Sequence, residues 1–303
     1  MKTAMLFPGQ GAQFVGMARA WADAVPASRA AFDEASAIVG LDLAKLSFEG
    51  PAEELDSTLV CQPAILAASC AILRGLEHRE ALRDRAIVSC AGLSLGEYTA
   101  LVHAGALAFP DAVALVAKRG RYMQDCSDRH PSGMVSLLGA SPDAAARICE
   151  RVRDRGVCVI ANLNGPGQIV LSGANAALDA VPEAAKAEGV KRAMRLRVAG
   201  AFHSPLMADA ARKLEHDLAR VEIRAPRAPV VCNVSAEPES DPGRIRTLLG
   251  RQVESPVLFE KSVRRMVALG AAAFVEPGPG KVLAGLCRKI APEVPVENFD
   301  SPS

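Results

Sequence analysis

The sequence predicts an α/β protein: a hydrolase-like three-layer domain around a mostly parallel sheet, with a ferredoxin-like small domain inserted into it. Three observations predict this. Short apolar runs alternate with longer helical patterns along the 303 residues, as strands joined by helices do. A serine flanked by glycines, Gly92-Leu93-Ser94-Leu95-Gly96, stands between one such run and one such helix. From about residue 127 to 198 the order changes to β-α-β-β-α-β, the ferredoxin-like arrangement.

In chain order, 3–7 reads as a first buried strand that ends at Pro8-Gly9. Helices are expected over 16–23, 28–39 and 62–77, a strand over 86–89, then helices over 97–106 and 110–124. Proline opens several of these helices, as its fixed φ allows. In the middle segment, 133–138 is a strand and Ser141-Pro142-Asp143 caps a helix to about 155. Strands at 158–162 and 168–172 flank an Asn/Gly/Pro turn, and a helix over 175–188 precedes a strand over 191–198. The small domain is therefore placed at 127–198, inside a discontinuous large domain of 1–126 and 199–303. There, a helix over 205–220, a strand over 229–233, a helix over 256–269 and a strand over 273–276 complete the pattern.

Composition narrows the function. Half the residues are hydrophobic, enough for a sizeable core, but only 4% are aromatic, so aliphatic side chains and alanine must pack it. A net charge of +1 argues against a nucleic-acid binder. No run approaches the length of a membrane span, and the N-terminus meets Pro8-Gly9 too early for a signal peptide. The eight cysteines are scattered without C-x-x-C spacing, which predicts reduced core thiols in a cytoplasmic protein and no metal site. Cys90, on the strand entering the elbow, is read as packing.

The chemistry starts at Ser94. A serine on a strand–turn–helix elbow is presented to solvent, and the amides at the helix start are free to hold an anion. The plainer reading is a Gly-Ser turn with Ser94 as a helix cap. A nucleophilic serine needs a base. Of five histidines, His78, His130 and His216 lie in polar segments, and His103 is too far along the helix after the elbow. His203, in Ala199-Gly200-Ala201-Phe202-His203-Ser204-Pro205, sits at a strand–helix junction among small apolar residues. Elimination selects it as the base, the alternative being a satisfied core histidine. No carboxylate is nearer than Asp209, which suggests a Ser–His dyad with a backbone carbonyl or amide side chain holding the imidazole. The turn Phe7-Pro8-Gly9-Gln10-Gly11 lacks a full dinucleotide fingerprint, and Gly278-Pro279-Gly280-Lys281 is no Walker loop. If the first turn ends beside the elbow, the amides of Gln10 and Leu95 form an oxyanion hole.

Six motifs, in order along the chain, carry a resemblance. They are Phe-Pro-Gly-Gln-Gly-Ala-Gln at 7–13, Gly-Leu-Ser-Leu-Gly-Glu-Tyr at 92–98, Lys-Arg-Gly-Arg-Tyr-Met at 118–123, Ala-Asn-Leu-Asn-Gly-Pro-Gly-Gln at 161–168, Gly-Ala-Phe-His-Ser-Pro-Leu-Met at 200–207 and Glu-Pro-Gly-Pro-Gly-Lys-Val-Leu at 276–283. Together they resemble the malonyl-CoA:acyl-carrier-protein transacylases of fatty-acid synthesis and the related polyketide acyltransferases. The resemblance implies ping-pong transfer through a malonyl-Ser94 ester, from malonyl-CoA to the phosphopantetheine thiol of holo acyl carrier protein. It implies a monomer with no cofactor of its own. It places Arg119 against the malonyl carboxylate, although periodicity groups Val113, Val116, Ala117 and Gly120 as the apolar stripe and leaves Lys118, Arg119 and Arg121 off it. It makes Gln252 the residue that helps orient the histidine, and Phe202 a wall that crowds an α-methyl branch.

Two departures stand out. Leu93 occupies the acyl-pocket position where the family usually has histidine, and Gly200 stands where many polyketide enzymes have histidine. The strand carrying Lys191, Arg195 and Arg197 is either an ordinary half-exposed strand or a docking edge for an acidic carrier or coenzyme A phosphates. Three other functions remain open at this point: a stand-alone polyketide acyltransferase acting in trans, an acyl hydrolase, and a non-catalytic subunit of the same fold.

Overall fold

The computed structural model describes residues 1–302. Strands β1 (Lys2–Phe7), β2 (Ala86–Gly92), β3 (Ser132–Leu138), β4 (Cys158–Gly165) and β5 (Gln168–Ala174) precede β6 (Arg192–Arg195), β7 (Val230–Val231), β8 (Pro238–Glu239), β9 (Ala273–Glu276) and β10 (Val296–Asn298). One sheet has the order β10-β9-β1-β2-β7-β8, and every pairing in it is parallel except β7 with β8. Both its faces are covered. Met5 and Phe7 of β1 join the core under the helices Pro26–Val39, Thr58–His78 and Phe109–Arg129. Ala4 and Leu6 point the other way, into a core shared with Phe259–Ala268 and Val282–Ile290. This alternation explains why β1 reads as a continuous apolar run.

The second sheet has the order β4-β5-β3-β6, antiparallel throughout. Helix Pro142–Val152 and segments 175–187 pack on it around Ile148, Leu171 and Leu178. This is the ferredoxin-like order that the sequence predicts. Val257, outside both sheets, bonds to both Ala161 and Leu163 of β4. That pairing ties Val257 to β4, and the helix expected from 256 begins at Phe259.

Other elements differ from the sequence reading. The helix expected over 175–188 breaks into Asn175–Leu178 and Val181–Ala187, the latter with proline in its first turn. The segment after Ser204 opens with one 3-10 turn, Pro205–Met207, before Ala208–Leu218. The strand expected over 191–198 is only β6; beyond it the Leu196 amide still donates to the Met134 carbonyl of β3 at 2.9 Å before the chain turns away. Helix Val282–Ile290 escaped notice; its leading amides, Leu283 and Ala284, donate to the buried carboxylate of Glu276 at 3.0 and 2.8 Å. The expectation that no run suits a membrane also fails. Thr58–His78 is long and apolar enough by length and composition, but here it is the central core helix, mostly buried by protein.

The elbow joins β2 to the helix Gly96–His103. β1 and β2 are in register at their ends, Phe7 opposite Gly92, and the Leu93 amide donates to the Phe7 carbonyl at 3.0 Å. This fit leaves no room for side chains at two positions. A Cβ on Gly96 would overlap the Phe7 carbonyl oxygen, and one on Gly92 the Gly96 backbone. The glycines thus serve close contact, whereas the left-handed residue is Ser94 itself, at φ 52°. Gly96→Ala is expected to lower stability by about 3 kcal/mol, because the clash is with backbone that cannot move aside. A thermal melt checks this, and an unchanged melting temperature would contradict it.

Candidate active site

Ser94 Oγ lies 2.8 Å from His203 Nε2. His203 Nδ1 lies 2.9 Å from the Gln252 carbonyl oxygen and 3.1 Å from that of Ser255. Carbonyls only accept, so Nδ1 carries the proton and Nε2 presents its lone pair to the serine. The imidazole is therefore held by backbone, with no carboxylate; Asp209 pairs with Arg129 instead. Gln252, expected to help orient the histidine, meets the ring through its main-chain carbonyl, while its side chain turns to Arg119 and Glu97. Both Ser94 and His203 have left-handed backbones, His203 at φ 57°, and such strain in non-glycine residues collects at functional sites. His103 packs its ring on Phe7 and makes no bond to Ser94.

Asn233 holds the strained turn from behind. Its Oδ1 accepts the Ser94 amide at 2.7 Å and its Nδ2 donates to the Gly92 carbonyl at 2.7 Å. The next amide, that of Leu95, and the amide of Gln10 donate to no other group among the described residues. Gln10 lines the same cavity as Ser94 and His203. Two free amides beside a nucleophile are what an oxyanion hole requires.

Arg119 is 2% exposed. It lies on the buried side of its helix with Val116, Gly120 and Met123, which corrects its placement off the apolar stripe; Ala117 is the half-exposed one. Lys118 does turn outward, to Asp217 at 2.8 Å. Arg119 Nη1 donates to Gln62 Oε1 at 2.6 Å, and Nη2 donates to Ser94 Oγ at 2.8 Å and to Gln252 Oε1 at 3.1 Å. Its Nε has no partner among the described residues. Burial pulls the guanidinium pKa down, yet arginine stays charged at such sites.

The cavity beside Ser94 and His203 holds about 150 Å³. Met123, Met134, Val170, Leu196, Val198 and Phe202 make it largely apolar, with Asn162 and Asn164 of β4 as polar exceptions. Leu93 also lines it, and its side chain leans on the Ala4–Leu6 core. Among the described residues no cluster of His, Cys, Asp or Glu could hold a metal ion.

Comparison with known proteins gives the family. A model described as "Acyl transferase domain" matches residues 4–292. The malonyl CoA-acyl carrier protein transacylase of Bacillus subtilis is 44% identical over 290 residues, covering 95% of this chain and 90% of that protein. The chain belongs to the malonyl-CoA:acyl-carrier-protein transacylase family. Its relative of that name in Escherichia coli is 41% identical, over 99% of this chain and 96% of its own. A solved complex of a type II PKS acyl-carrier protein with its malonyl-transacylase matches at a TM-score of 0.95 and 38% identity, covering 99% and 96%. This transacylase-family member is accordingly an acyltransferase.

Sequence reasoning missed three parts of the transacylase site: Gln62, Glu97 and Asn233. Each left a trace. Gln62 is the amide in an otherwise apolar helical run, Glu97 is an acid directly after the elbow, and Asn233 ends an apolar strand.

His203 is pushed down to about 4, first by burial and second by the Arg119 charge, against the two carbonyl bonds that raise it. Being depressed, the neutral base is present above that value and is lost as pH falls through it. The acylation rate of free enzyme should therefore stay level from pH 8 to about 5 and fall only below. Arg119→Ala should move that limb upward. Single-turnover acylation against pH measures both, and a limb at the ordinary histidine value of about 6.5 would contradict the assignment.

Proposed function

We propose that this chain transfers a malonyl group from malonyl-CoA to the phosphopantetheine thiol of holo acyl carrier protein through a malonyl-Ser94 ester. One observation carries the choice of acyl group: a buried guanidinium stands 2.8 Å from the nucleophile oxygen. A fixed cation there suits an acyl chain whose second carboxylate lies one methylene beyond the ester carbonyl. It offers nothing to a neutral acyl group.

The steps follow from the geometry. His203 Nε2 takes the Ser94 proton as Oγ attacks the thioester carbonyl. The oxyanion forms against the Gln10 and Leu95 amides, each worth about 3 kcal/mol in comparable sites. The thiolate of coenzyme A leaves with the proton from His203. Arg119 holds the free carboxylate through charge-assisted bonds, its unpaired Nε adding a donor. The carrier thiol then repeats the sequence in reverse, losing its proton to His203. The apolar walls around Met134, Val198 and Phe202 exclude water, which favours transfer over hydrolysis. Phe202 also narrows the space beside the α-carbon; one methyl there is discriminated by about 1–3 kcal/mol.

The carrier approaches the mouth of this cavity, in our reading. Arg197 is exposed between the cavity-lining Leu196 and Val198, and Lys191 and Arg195 lie exposed nearby on the same segment. An acidic carrier is complementary to that edge.

Two measurements test the reading. Arg119→Ala should reduce kcat/KM for malonyl-CoA about a hundredfold, in line with loss of charged hydrogen bonds in a buried site, and should raise acetyl transfer. Undiminished malonyl loading would refute the carboxylate assignment. Arg197→Glu should slow transfer to the carrier while leaving Ser94 acylation by malonyl-CoA near wild type; equal carrier kinetics would remove the docking edge.

A further inference from the structure

Glu97 is a buried acid, 1% exposed, that takes no part in the chemistry above. Its Oε2 accepts from Gln252 Nε2 at 2.6 Å and from the Asn233 amide at 3.1 Å. Gln252 turns its other end to Arg119, whose Nη2 donates to Oε1 at 3.1 Å. Charge thus passes through one neutral amide: guanidinium to Oε1, Nε2 to carboxylate. Arg119 has no direct carboxylate partner among the described residues; its other bonds are to Gln62 and Ser94, and Tyr98 lies against it with the guanidinium 5.8 Å from the ring centroid.

A buried cation needs a counter-charge to be tolerated. A direct ion pair would supply one, but would also occupy the donors meant for substrate. The relay avoids this. We infer that Glu97 is a positioning residue, which fixes the direction of the Gln252 amide and supplies the remote counter-charge that keeps Arg119 aimed at the acyl group on Ser94. The inference rests on reading Arg119 as the binder of the malonyl carboxylate.

The donor pattern supports an ionised Glu97. Both nitrogens that face Oε2 can only donate, so a proton on that oxygen would have no acceptor there. Burial holds the carboxyl above its ordinary value, and the bonds from Gln252, Asn233 and Cys232 offset only part of that rise. The 2.6 Å separation is that of a charge-assisted bond. The amide direction matters as much as the charge. If Gln252 were flipped, its NH2 would oppose Arg119, donor against donor. The same Nε2 also donates to the Ser94 carbonyl at 3.0 Å, so the flip would loosen the elbow too.

The test compares acylation of Ser94 by malonyl-CoA and by acetyl-CoA in the full chain, with melting temperature recorded alongside. Glu97→Gln places an amide opposite two donors and removes the charge. It should raise KM for malonyl-CoA about tenfold, one charge-assisted contact's worth, and move the acetyl parameters less than about threefold. Glu97→Asp keeps the charge and should keep the malonyl-to-acetyl ratio near wild type even if both rates fall. Equal losses for both acyl groups in Glu97→Gln would show a merely structural role and overturn the inference, as would an unchanged malonyl KM. If Glu97→Gln does not fold, Gln252→Met cuts the relay while leaving Glu97. A lowered malonyl-to-acetyl ratio there supports the inference, and an unchanged ratio overturns it. Arg119→Ala separates the two readings. If it raises malonyl KM and Glu97→Gln does not, only the Glu97 role fails; if it leaves malonyl KM unchanged, the Arg119 reading fails and takes this one with it.

Discussion

A serine held at φ 52° is the constraint around which this molecule is arranged. A left-handed residue with a side chain costs roughly 1–2 kcal/mol, so the surroundings must enforce it. They do so from three directions. The Asn233 side chain spans the turn between the Gly92 carbonyl and the Ser94 amide. Gly92 and Gly96 let β1 and the following helix close on the elbow without a gap. The β1–β2 register brings the Pro8–Gln10 turn alongside. The result is a half-buried hydroxyl beside the two unpaired amides of Gln10 and Leu95.

Electrostatics at the site follow from dryness. Burial and the nearby guanidinium keep His203 neutral at physiological pH, which suits a base that must accept a proton. Two backbone carbonyls fix its tautomer without adding a negative charge beside Arg119. A triad aspartate there would repel the carboxylate that we propose Arg119 binds. The negative charge that balances Arg119 sits one amide further away, on Glu97.

Much of this was legible in the sequence. The elbow shows as glycine–serine–glycine between a strand and a helix, because both glycines are required by contact. The β-α-β-β-α-β order shows because each strand and helix keeps its own period. Arg119 was misplaced by periodicity, since a charged residue on a helix is read as solvated unless its partners are known. Those partners, Gln62 and Gln252, lie 57 and 133 residues away in the chain. The Gln252 role was half legible: the family resemblance marks the position, but no side-chain pattern reports a backbone carbonyl turned toward a histidine. Helix Thr58–His78 reads by composition like a membrane span, and only its burial among other helices shows it to be core. Contacts between distant segments were the part that one sequence does not display.

The central claim is that Ser94 carries a malonyl group to a carrier thiol instead of to water. The direct measurement is the intact mass of the protein after malonyl-CoA is added, followed by addition of holo acyl carrier protein. The account predicts a gain of one malonyl group, absent in Ser94→Ala, that disappears as the carrier gains the same mass. Release of free malonate without carrier loading, or an adduct that persists in Ser94→Ala, would contradict it.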